Sequence, residues 1–299
     1  MGNVPRGKVA GLAPALAERL SNAELTYAEV GRTDGELPPI RWLTVFLDFP
    51  PRKFAAGVAF WQAVTGYARS PFRGADGEFA TLLPPAGDAY LRVQRVRTGS
   101  GGCHLDLHLD PGSLDEAARH AAGLGARVRH RDADGRLIIL DSPGGFTFCL
   151  VEWHGELTVP RPLVTASGAS RVDTLCLDIP PDEFEQESAF WAALTGREAR
   201  PIEVPGFAYL EPAVPAPGEL PVRLLVQRLD EAPAGHRTRA HVDLGCTDQQ
   251  AIARHVALGG QVTGTHAHWT VLADPAGREY CLVSRDLTGW PGTPPAMGS

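Results

Sequence analysis

Two histidines stand in nearly the same surroundings, His104-Leu105-Asp106-Leu107 and His241-Val242-Asp243-Leu244. A histidine at the mouth of a sheet can give or take a hydrogen bond and changes charge near neutral pH. An Asp two residues along a strand shares its face and can orient it. The competing reading of each is a histidine satisfied by backbone at a strand end. Gln94 and Gln227 are amides inside otherwise apolar runs. When buried they need partners, either a bound ligand or neighbouring backbone. The cysteines at 103, 149, 176, 246 and 281 form no CxxC pair; an odd, scattered set reads as reduced thiols rather than a disulfide framework. His266 and His268, two apart, can chelate from one strand face, yet they align with the turn Asp134-Gly135-Arg136 and read as an exposed hairpin. There is no GxGxxG, P-loop, GxSxG or HExxH motif.

These groups sit in elements written twice. Ala59-Phe60-Trp61-Gln62-Ala63-Val64-Thr65-Gly66 returns as Ala189-Phe190-Trp191-Ala192-Ala193-Leu194-Thr195-Gly196, and each copy follows an apolar run ending in Asp, an apolar residue and two prolines. That distance between copies marks a duplicated domain, because solenoid periods are roughly 20–50 residues. Within a half, an apolar strand (41–49) leads to a helix with Phe54, Gly57, Val58, Trp61 and Val64 on one face, closed by Gly66. Antiparallel strands follow, and the pattern restarts at Cys103, with Ser113 and Glu116 as a capping box for the next helix. The basic run Arg127 to Arg131 reads as a solvated charge cluster at a helix end. Trp61 and Trp191 read as core rather than as ligand-stacking rings. The boundaries this gives are an arm at 1–40, where Leu12, Leu16 and Leu20 have helical spacing, domains at 41–154 and 171–287, a linker at 155–170 and a tail at 288–299.

A net charge of −7 argues against a nucleic-acid or anionic-membrane partner. No stretch approaches the roughly 18 apolar residues of a membrane span. Pro14, Glu18 and Arg19 interrupt what would be the apolar core of a signal peptide, so the chain reads as cytoplasmic.

Four landmarks align between the halves: the Phe-Trp helix, Val93-Gln94-Arg95 with Val226-Gln227-Arg228, the two His-x-Asp strands, and Phe148-Cys149-Leu150-Val151 with Tyr280-Cys281-Leu282-Val283. With Asp274-Pro275-Ala276-Gly277 they resemble the glyoxalase-like branch of the vicinal oxygen chelate superfamily, which also holds lyases, dioxygenases and bleomycin resistance proteins. The resemblance implies an α+β fold: four βαβββ modules in two tandem domains, with curved mixed sheets, flanking helices and a small organic molecule held in the cup of one or both domains. It also implies either a monomer acting as a pseudo-dimer or a homodimer. The family's metal positions fall near Leu43, Arg92, His104 and Cys149 in the first domain, and near Asp173, Leu225, His241 and Cys281 in the second. Only His104 is a good ligand in the first, where the Arg92 cation opposes a metal. The favoured expectation is therefore ligand binding without a metal, through Arg92, Gln94, His104, Cys149, Gln227, His241 and Cys281. The first alternative is a lyase or dioxygenase holding Zn, Fe, Ni or Mn at Asp173, His241 and Cys281. In the second, one domain is degenerate and purely structural.

Overall fold

The computed structural model describes residues 38–213, 220–233 and 235–287. The arm helix expected at Leu12 to Leu20 and the tail from 288 lie outside the described residues. The first half runs β1 (Trp42–Phe49), α1 (Phe54–Thr65), β2 (Ala68–Arg69), β3 (Phe79–Leu83), β4 (Leu91–Arg95), β5 (Gly102–Leu109), α2 (Leu114–Gly123), β6 (Arg127–Arg131), β7 (Leu137–Asp141) and β8 (Thr147–Glu152). After β9 (Leu163–Thr165) the second half repeats it with β10 (Gly168–Ile179), α3 (Phe184–Thr195), β11 (Arg197–Pro201), β12 (Phe207–Pro212), β13 (Arg223–Arg228), β14 (Arg239–Cys246), α4 (Gln250–Ala257), β15 (Gln261–Thr265), β16 (Trp269–Ala273) and β17 (Glu279–Ser284).

Each half is one mixed sheet, ordered β2-β3-β4-β1-β5-β8-β7-β6 and β11-β12-β13-β10-β14-β17-β16-β15, with β9 added on β10. Parallel partners need a crossover, and α1 and α3 supply it between β1 and β4 and between β10 and β13. Two modules meet at the antiparallel pairs β1/β5 and β10/β14. Alternation then sorts the side chains: Leu43, Val45, Leu47 and Phe49 enter the core, so Thr44, Phe46 and Asp48 take the other face.

The helices join the halves. Trp61 of α1 packs against Tyr280 of β17, ring centres 5.2 Å apart, and Trp191 of α3 packs against Phe148 of β8 at the same 5.2 Å. Each indole donates to a buried carboxylate, Trp61 to Asp274 at 2.9 Å and Trp191 to Glu187 at 2.8 Å.

Three local expectations are corrected. The basic run is not a helix end but β6, an exposed edge strand whose Arg127 and Arg129 pair with Asp141. Charge along an edge discourages strand addition from another chain. The capping box does not form: the Ser113 hydroxyl donates to the Asp110 carbonyl instead, at 2.6 Å. The stretch 155–170 is also not wholly irregular, since it carries β9 and the first residues of β10. Among the described residues no helix is long and apolar enough to cross a membrane.

Candidate functional site

Cross-strand register assembles the same four residues, two aspartates, a histidine and a cysteine, in each half. In the second, Cys176 of β10 lies opposite His241, and Asp243 lies beside Cys281 of β17. Because β10 and β14 run antiparallel, the last residues of one meet the first of the other, which brings Asp178 to His241. His241 Nδ1 lies 2.9 Å from Asp178 Oδ2, while Nε2 faces Asp243 Oδ1 at 3.3 Å and Cys281 Sγ at 3.5 Å. Burial alone would lower the His241 pKa, but the Asp178 and Asp243 carboxylates reverse this and hold it well above its ordinary value. Burial pushes the Cys281 thiol up, with His241 working against it. The cavity over this group measures about 150 Å³ and is walled by Phe207, Tyr209 and Trp269, with Gln227 and Arg285 reaching it.

The first half repeats the arrangement more loosely. His104 Nδ1 meets Asp48 Oδ2 at 2.8 Å, but Nε2 stands 4.0 Å from Asp106 Oδ1. Phe46 takes the place of Cys176 and stacks on the imidazole, centroids 4.2 Å apart. Arg92 lies 3.7 Å from Asp106 and over the Phe46 ring. Cys149 bonds to Asp106, and its thiol pKa is raised well above the ordinary value by burial first and by that carboxylate next.

Several expected positions move. Leu43 is core, and the residue opposite His104 is Phe46, three places further along. Asp173 does not join His241 and Cys281. The register of β10 slips between Val172 and Thr174, and the fully buried Asp173 instead takes Arg285 at 2.6 Å and Arg223 at 3.7 Å. Asp243 stands where Asp173 was expected. Asp48, Asp178 and Cys176 were not anticipated as site residues. A signal for the two aspartates was present, since each precedes the paired prolines in both halves. His266 and His268 do lie at the β15–β16 connection, with His266 stacked on Trp269 at 4.5 Å.

The donor set can be tested against a metal. Three groups have ligand atoms within 4.8 Å of one another: His104, Asp106 and Cys149; Cys176, Asp178 and His241; and His241, Asp243 and Cys281. Metal bonds of ~2.0–2.3 Å place tetrahedral ligand atoms ~3.3–3.8 Å apart. The Nε2 to Oδ1 and Nε2 to Sγ separations in the last group, 3.3 and 3.5 Å, fall in that span. Asp243 Oδ1 is buried without a hydrogen-bond partner. The residues of the second half therefore fit a divalent cation, which supports the metal alternative rather than the favoured expectation of none.

The glyoxalase-like domain model matches residues 44–151 and again 174–283. The chain belongs to the glyoxalase-like family. Its two domains are the two halves of the fold, and it lies within the vicinal oxygen chelate superfamily. Among solved structures, a variant of homoprotocatechuate 2,3-dioxygenase from B. fuscum is 15% identical, with 89% of this chain and 77% of that one covered at TM-score 0.58. The Mn(II)-bound glyoxalase from Novosphingobium aromaticivorans is also 15% identical, covering 83% and 82% at TM-score 0.56. For 2,2',3-trihydroxybiphenyl 1,2-dioxygenase from Sphingomonas wittichii the figures are 14% identity, 85% and 94% coverage, and TM-score 0.55. At such identities the likeness is one of fold. No curated protein matches the chain by sequence.

Proposed function

We propose that this glyoxalase-like protein binds a small organic molecule in the cup of its second domain, beside a divalent cation held by His241, Asp243 and Cys281. The observation that carries this is the convergence of those three donors on the floor of an aromatic-walled cavity. A cavity of ~150 Å³ is what a benzene ring fills, so the guest is of about single-ring size. A Mn(II)-bound glyoxalase and dioxygenases among the structural neighbours support the same reading.

Charge balance supports it too. Asp173, Asp178 and Asp243 face Arg223, Arg285 and His241. With His241 protonated the charges cancel, as buried charges must nearly do. A divalent cation replacing the imidazolium proton and the Cys281 thiol proton gives the same balance. Asp178 is the orienting partner: by holding Nδ1–H it leaves Nε2 to face the cup. The thiol favours a thiophilic ion such as zinc over a hard one. When bound, the ion would act as a Lewis acid toward an oxygen of the guest. The chain's own part is to bind and orient. Phe207 and Trp269 close the cup with tilted rings, centroids 5.7 Å apart, Gln227 lines it with its carbonyl oxygen accepting from the Cys176 thiol, and Arg285 is pinned by Asp173 and Thr174.

Elemental analysis of protein purified without chelator, followed by zinc titration calorimetry, tests the reading. One ion per chain is expected, with affinity at least a hundredfold weaker in His241→Ala and Cys281→Ser, roughly 10–100-fold weaker in Asp178→Asn, and unchanged in His104→Ala. Metal retained by His241→Ala would overturn it. For the guest, single-ring phenols and aryl carboxylates should raise the melting temperature by mass action, and filling the cup with Val283→Trp should abolish the rise.

A further inference from the structure

A second cleft, of about 610 Å³, lies where the first domain meets residues 235–240 of the second. Its floor is Asp48, Gln94, His104 and Cys149, one wall is the turn 145–147, and its cover runs from Gly235 to Ala240. It falls within the ~300–1,000 Å³ range of small-molecule sites and is several times roomier than the cup of the second domain. Neither half makes it alone.

The cover is tied to the first domain by Thr238, only 3% exposed, whose backbone N–H donates to the Gly144 carbonyl at 2.9 Å. The cover is also cationic. Arg237 reaches Asp141 only at 3.8 Å, and that carboxylate is already held by Arg129 at 2.6 Å and Arg127 at 3.0 Å. Three guanidinium groups share one carboxylate, and the exposed Arg239 adds a fourth beside the opening. This is local positive excess on a chain whose net charge is −7.

We propose that this inter-domain cleft binds an organic anion, its acidic group on Arg237 and Arg239 and its body extending over Gln94 and His104 toward the first cup. The inference does not depend on the cation or guest assigned to the second cup. Arg gives planar, two-point recognition of carboxylates, sulfonates and phosphates.

Fluorescence titration with 8-anilinonaphthalene-1-sulfonate, set against the uncharged N-phenyl-1-naphthylamine, tests this. Saturable binding of one sulfonate per chain is expected. The double variant Arg237→Gln/Arg239→Gln, on exposed positions, should weaken it at least tenfold and leave the uncharged probe within twofold. Thr147→Trp, which fills the cleft, should remove both, whereas Val283→Trp in the second cup should change neither. The proposal fails if no saturable sulfonate binding occurs, if both cleft variants bind as the parent does, or if Val283→Trp abolishes the signal.

Discussion

At the scale of single residues, the histidines divide by what faces them. His241 is buried between carboxylates and is held charged, or ready to exchange its proton for a cation. His255 is buried with no carboxylate near it: Nδ1 meets the Tyr280 hydroxyl at 3.1 Å and Nε2 has no partner. Burial, with the Arg254 charge second, lowers its pKa to about 4. The sign follows. Above pH ~6.5 neither the folded nor the unfolded state carries the proton, so the group has no effect. Between there and about pH 4 the unfolded chain binds it and the folded chain refuses it, so stability falls as pH falls. The slope is ~1.4 kcal/mol per pH unit, or ~2 kcal/mol between pH 7 and pH 5. Urea unfolding at both pH values should show His255→Gln losing about that much less than the parent; an unchanged difference would refute the assignment. This scale is also where the sequence was least legible. His104, His241, Gln94 and Gln227 stood out because they break apolar runs. Asp48 and Asp178 did not, because an Asp before two prolines reads first as the end of a strand. Asp173 misled because the slip in β10 leaves no mark in composition.

At the scale of elements, the helices and central strands were legible and the edges were not. Apolar alternation and helical spacing come from burial, so β1, β5, β10 and β14 announce themselves. Residues 127–131 and 261–265 are edge strands with mostly exposed side chains, and nothing in them alternates between water and core. The glycines that end α1 and α3 were legible for a physical reason: both take left-handed backbone, φ 71° at Gly66 and 61° at Gly196. Their surroundings differ. A Cβ on Gly66 would sit 2.9 Å from Leu163 of β9, whereas one on Gly196 meets nothing within 4 Å. Gly196→Ala should therefore cost only the left-handed penalty, ~1 kcal/mol. Gly66→Ala should cost more, ~2 kcal/mol, because Leu163 must also move. Denaturant midpoints of the two variants measure the gap directly, and equal losses would show that β9 does not press on the helix end.

At the scale of the whole molecule, the duplication is joined by two interfaces that solve one problem in different ways. Each buries a tryptophan whose indole N–H needs an acceptor. On one side the acceptor is Asp274, in the turn before β17, and the facing position on α1 is Gly57, where a Cβ would stand 2.2 Å from the Phe49 ring. On the other, the turn carries Ser142 and the helix supplies the carboxylate: Glu187 accepts from Trp191, from Ser142 and from the Gly144 N–H, at 2.6 Å in the last case, and Ile179 stands where Phe49 does. Each interface keeps a carboxylate that accepts from its indole, and the source of that carboxylate has moved from turn to helix together with the neighbour that makes room for it. If that is the rule, Gly57→Glu alone should be badly tolerated, since it drives a side chain into Phe49 and buries a second carboxylate beside Asp274. A loss of about 3 kcal/mol or more is expected. The triple variant Phe49→Ile/Gly57→Glu/Asp274→Ser, which writes the Trp191 solution into the Trp61 interface, should recover at least half of that loss. Coupling of this kind is expected among residues that share partners. Urea unfolding of the single and triple variants decides the matter. If the triple variant is no more stable than Gly57→Glu, the two interfaces are not interchangeable and the carboxylates serve their own loops alone.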